Sequence, residues 1–128
     1  MTADIRELVQ LAVVFQASIP EAERAMVAAV TRGALNVKND WRANARASAG
    51  RHARLYPGSI SYDLTLIPGG AEAEIGPDKD KPQGALGNLL EFGSVNNQPH
   101  NDGGRALLAE EPRFVAQVAA IADQFGRL

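Results

Sequence analysis

Apolar residues recur at three- and four-residue steps through the first part of this chain, alternate over a middle stretch, and return to helical spacing near the end. Between Ala3 and Ala17, Ile5, Leu8, Leu11, Ala12 and Phe15 keep the helical steps and predict a first helix. Val9, Val13 and Val14 widen its apolar face beyond what one neighbour covers. Ser18-Ile19-Pro20-Glu21 then combines a capping serine, an early proline and a glutamate three places after the serine, which is a helix start. Val27, Val30, Ala34, Val37 and Trp41 carry a second helix from there to about Ala49. Such a helix is about 40 Å long at ~1.5 Å per residue. Gly33 inside it costs up to ~1 kcal/mol relative to alanine and marks a bend or a close backbone approach.

After a connector from Gly50 to Gly58, the period becomes two. Ile60, Tyr62, Leu64 and Leu66 fall on one face, and Ser59, Ser61, Asp63 and Thr65 on the other. Pro68-Gly69-Gly70 is a turn, and Ala71 to Ile75 alternates again with Glu72 and Glu74 outward. The pattern predicts an antiparallel hairpin with one face on the helices. Two strands alone are marginal, so the long helix has to back them or another subunit has to extend the sheet. A charged loop follows from Pro77 to Gly84. Ala85 to Phe92 predicts a short helix with Leu86, Leu89 and Leu90 inward, ended by Gly93. Ser94 to Gly104 is a polar loop. Arg105 to Phe125 is the last helical region, with Pro112 expected to kink or restart it.

Composition narrows the class. A length of 128 residues suits one domain, residues 1–128. Hydrophobic content is 45%, yet aromatics are only 5% and alanine is abundant, so the expected core is thin and association is expected to supplement it. There is no cysteine, which excludes disulfides and thiolate metal sites. A net charge of −2 names no partner. No apolar run is long enough for a membrane helix, and Asp4 and Glu7 make a poor signal peptide, so a soluble protein made in the cytoplasm is expected.

Candidate chemistry is sparse and mostly basic. Lys38, Arg42 and Arg46 are spaced by four and stack along one side of the long helix, with Arg51 and Arg54 following; Asp40 is the only acid in that window. The stripe reads as a solvated face, or as a contact with DNA phosphate or an acidic neighbouring subunit. Trp41, the single tryptophan, serves either a core or an interface. Glu91, Phe92 and Gly93 read as an exposed acid, a core plug and a helix cap, or else, with Ser94, as a subunit contact in which Glu91 meets an arginine of the stripe. His52 and His100 lack metal-ligand spacing, and no phosphate loop or catalytic triad signature occurs. Neither an enzyme nor a cofactor is expected.

The order of several short elements carries a resemblance. Trp41-Arg42-Ala43-Asn44-Ala45 ends the long helix, and Gly58-Ser59-Ile60-Ser61-Tyr62 opens the strand. Glu74-Ile75-Gly76-Pro77 closes the hairpin, Leu90-Glu91-Phe92-Gly93-Ser94 follows, and Arg105-Ala106-Leu107 opens the terminal helix. In this order they resemble the tail-component family of long-tailed double-stranded DNA phages, small neck or tail-completion proteins. Gln98 to Gly104 is polar where family members often carry a Pro-Phe-rich segment. The resemblance implies a virion protein without cofactor or catalytic residue. It would form a ring of six-fold symmetry, or a multiple, against adjacent neck, tail-terminator or tail-tube proteins. Non-specific contact with DNA in the channel is also implied, and no membrane is involved.

The expected architecture is α+β: two N-terminal helices (the second long), an antiparallel hairpin or small sheet, a short helix and a C-terminal helix. The expected function is head–tail joining or tail completion. Lys38, Trp41, Arg42, Arg46, Arg51, Arg54, Glu91, Phe92, Gly93 and Ser94 are the candidate interface or lumen residues. The alternatives are a nucleic-acid-binding accessory protein using the stripe from 38 to 54, and a small enzyme or inhibitor.

Overall fold

The computed structural model describes residues 9–14 as backbone pairing, and residues 20–94 and 98–125 in full. The α+β class holds. The elements are strand β1 (Val9–Val14), helix α1 (Pro20–Ser48), strands β2 (Ile60–Ile67) and β3 (Gly70–Pro77), and helices α2 (Gly87–Phe92) and α3 (Asp102–Phe125). Short 3-10 turns at Arg51–Ala53, Tyr56–Ser59 and Gly84–Leu86 join them.

The first predicted helix is corrected. Val9–Val14 is a strand, and the rest of the span from Ala3 to Ala17 lies outside the described residues. The six residues include three valines, whose branched side chains favour the extended backbone. They also pair along an edge of β3 that would otherwise be open, placing Val9 opposite Ile75, Leu11 opposite Ala73 and Val13 opposite Ala71. The sheet is therefore three-stranded and antiparallel, in the order β1-β3-β2. The third strand needed by the hairpin comes from the same chain.

The other elements fall close to expectation. α1 starts at Pro20 and ends one residue before Ala49. The hairpin pairs Tyr62 with Ile75, Leu64 with Ala73 and Leu66 with Ala71. α3 begins three residues earlier than expected, at Asp102, and continues through Pro112, which is solvent-exposed. On the exposed side, the missing N–H leaves nothing unsatisfied in the core.

α1 is sandwiched between the sheet and α3. Its Val30, Ala34, Val37, Trp41 and Ala45 meet Ala71, Ala73 and Ile75 of β3, with Ile60, Tyr56 and Ala106 closing the cluster. A second cluster joins Met26 and Ala29 of α1 to Ile121 of α3. Alanines on both sides bring helix and sheet close but bury little area each, so Trp41 and Tyr56 supply the bulk. Several expected core residues lie outside this centre. Leu64 and Leu89 are about two-fifths exposed, and Leu66 (69%) and Phe92 (56%) more so. Among the described residues, no helix is long and apolar enough to cross a membrane.

Candidate functional site: an arginine recess and a carboxylate seam

The basic stripe divides in two. Positions four apart on an α-helix drift by ~40° per step, so the row winds slowly around α1. Lys38 and Arg42 still face the sheet. The Lys38 ammonium lies 5.7 Å from the centre of the Tyr62 ring. Arg42 Nε and Nη2 both donate to the Ile60 carbonyl, at 2.9 and 2.6 Å, and tie the start of β2 to the helix. These two cations are engaged within the chain.

Arg46 lies farther round and near the helix end, where the last carbonyls favour a cation. With Arg51 and Arg54 it lines a recess of about 290 Å³, completed by Ala49, Gly50 and Pro57. All three arginines are exposed, and none has a hydrogen-bond or ion-pair partner among the described residues. The connector carrying Arg51 and Arg54 is held in place by Gln83. That residue adopts a positive φ of 62°. Its side-chain amide accepts from Leu55 N at 2.6 Å and donates to the His52 carbonyl at 2.7 Å. Sequence reasoning passed over Gln83, because nothing in its neighbourhood signals a partner some thirty residues away.

The Leu-Glu-Phe-Gly-Ser turn has an internal role. Glu91 is buried rather than exposed, and its carboxylate meets none of the described arginines. It accepts from the backbone N–H of Gly103 at 3.0 Å and of Gly104 at 3.1 Å, in the first turn of α3. A carboxylate is favoured there by the free amides and the positive end of the helix dipole. The backbone reinforces the clasp, with His100 N donating to the Leu90 carbonyl and Asn101 N to that of Glu91. Gly93 ends α2 at φ 75°, a backbone that favours glycine. Phe92 is exposed instead of plugging the core, and Ser94 is exposed beside it.

Two further buried acids, neither singled out from the sequence, extend this clasp into a seam between α1 and α3. Asp102 accepts from Ser48 Oγ and from Arg105 Nη2, each at 2.7 Å, while Asn44 donates to its backbone carbonyl at 3.0 Å. Glu110 accepts from Asn36 at 3.2 Å and pairs with Arg113 at 3.0 Å; Arg113 also reaches Asp40 at 3.3 Å. Trp41 lies beneath the seam, fully buried and so a core residue of the single chain. Its indole N–H and the Tyr56 hydroxyl are neighbours that fall short of hydrogen-bond geometry. Burial pushes the Tyr56 hydroxyl pKa well above the ordinary tyrosine value; the indole N–H opposes this, and Glu91 and Asp102 add to it.

A third feature is a shallow, mostly apolar groove of about 540 Å³ between the start of α1 and Leu66, lined by Pro20, Glu23, Arg24, Val27 and Ala28. Among the described residues, no group of histidine and acidic side chains is arranged to hold a metal ion. Set against protein-family models, curated proteins and solved structures, the chain matches none.

Proposed function

We propose that this chain is a structural subunit of a phage neck, assembling into a ring that joins head to tail or completes the tail. Exposed apolar side chains on elements that are otherwise well packed are the observation that carries the reading. Leu108 (67% exposed) and Val115 (58%) are seven residues apart and share one outward side of α3, while Leu66 and Phe92 protrude elsewhere. A subunit completed by copies of itself explains such surface, and head-to-tail contacts close into a ring when the rotation per step divides the circle. The resemblance in the order of short elements from Trp41 to Leu107 supports the neck assignment and a six-fold ring or a multiple.

The nucleic-acid-binding alternative has less behind it than the sequence promised, because Lys38 and Arg42 are engaged inside the chain. Electron microscopy of particles labelled on this chain tests the neck reading: label is expected as a closed ring where capsid meets tube. Mature particles with a complete neck and no copy of the chain would overturn it. Replacing both Leu108 and Val115 with glutamate is expected to stop ring formation while helix content stays unchanged.

A further inference from the structure

We propose that the recess lined by Arg46, Arg51 and Arg54 is a phosphate-binding site, and that it takes its phosphate from the backbone of duplex DNA. The proposal deepens the ring reading and rests on it only for the source of the phosphate, since the recess is complete in one chain. Three arginines line one concavity, and none has a counter-ion among the described residues. Elsewhere on the molecule, Arg42, Arg105 and Arg113 are each held by an oxygen acceptor. Like charges gathered this way repel one another until an anion joins them.

Phosphate suits the site. Each phosphodiester of a duplex presents two charged non-bridging oxygens to a planar guanidinium fork, and successive phosphates along the strand offer further acceptors to the remaining arginines. The apolar part of the lining is confined to Ala49 and Pro57, too little to grip a protein segment. The recess is also preorganised. Gln83 fixes the backbone at His52 and Leu55, between and beside the two connector arginines. The mouth is open at Gly50, where a Cβ would meet nothing within 4 Å.

Backbone amide shifts measured by NMR during titration with inorganic phosphate, and then with a short duplex, test the site. Both probes are expected to move the amides around Ala49 to Arg54. Arg51→Gln with Arg54→Gln is expected to weaken duplex binding at least ~10-fold and to lower the log–log salt slope by about 2. Arg32→Gln, an exposed arginine earlier on α1, is expected to change the slope little. Gly50→Glu should abolish phosphate binding by placing a carboxylate at the mouth, while Gly50→Ala should not. Gln83→Ala removes no charge and should weaken phosphate binding without changing the salt slope.

Shifts scattered over the surface, or an Arg32→Gln loss equal to that of the double variant, would overturn the site. Phosphate binding with no duplex binding would overturn DNA as the source. Self-association lost in the double variant, without phosphate shifts, would assign the recess to an acidic neighbour instead. An unaltered protein that forms the ring yet binds no phosphate would refute this site and leave the neck reading standing.

Discussion

The carboxylate seam and the arginine recess are both clusters of like charge, yet the fold treats them oppositely. Glu91, Asp102 and Glu110 are buried between helices, while Arg46, Arg51 and Arg54 stay in water. The difference lies in what each cluster finds within reach. The acids meet donors that need an acceptor anyway: the first amides of α3, the Ser48 hydroxyl, the Asn36 amide and the Arg113 guanidinium. Their desolvation is offset by bonds that also satisfy the partner. The three arginines meet no comparable acceptor among the described residues, so burial would leave them uncompensated. The buried cluster therefore holds the fold, and the exposed cluster remains available for a ligand.

Glu91→Ala should separate the two regions most sharply. It leaves the Gly103 and Gly104 amides without their acceptor, and the expected loss is about 2–4 kcal/mol in urea unfolding. A loss below ~0.5 kcal/mol, the range of ordinary surface changes, would mean that the clasp is not structural. Gly103→Ala comes next. A Cβ there would lie 2.6 Å from the Trp41 ring, which is rigid and fully enclosed. About 1–3 kcal/mol of overpacking is expected, accompanied by a shift in the emission of the single tryptophan.

Tyr56→Phe probes the floor of the seam by pH. Burial keeps the folded hydroxyl protonated beyond the pH, about 10, at which an unfolded tyrosine ionises. The unfolded chain loses that proton first. The stability contributed is intact below about pH 10 and is lost as pH rises further. The phenylalanine variant is expected to unfold like the parent at neutral pH and to resist alkali better, as read by circular dichroism. The smallest effect on stability belongs to the other region. Neutralising Arg46, Arg51 and Arg54 to glutamine should change unfolding by no more than ~0.5 kcal/mol. A larger loss would show that the recess, like the seam, supports the fold.

What the sequence made legible follows from how local each cause is. The long helix was readable because its capping box and stepped apolar residues lie within the element, and the hairpin because alternation and a Pro-Gly-Gly turn are adjacent. β1 was misread because six apolar-rich residues satisfy both periods at once. The open edge of β3, far along the chain, decides between them. Leu66 looked like a core residue because alternation reports only which face of the sheet a residue takes. How far the covering helix reaches along that face has no signature in the strand. Glu91 was placed outside for a similar reason. A glutamate beside a helix end is usually solvated, and its acceptor role becomes visible only once α3 begins at Asp102. The arginine stripe was legible as a cluster of cations, but the slow winding of four-residue steps divided its members between sheet and recess.

The clasp at Glu91 also closes the polar loop at its base. With His100 and Asn101 bonded back to Leu90 and Glu91, the exit from α2 and the entry to α3 stay together whatever the span between them contains. That span can lengthen, shorten or change its residues without moving either helix. A chain built on this plan keeps one unchanging frame whatever sequence joins the two helices.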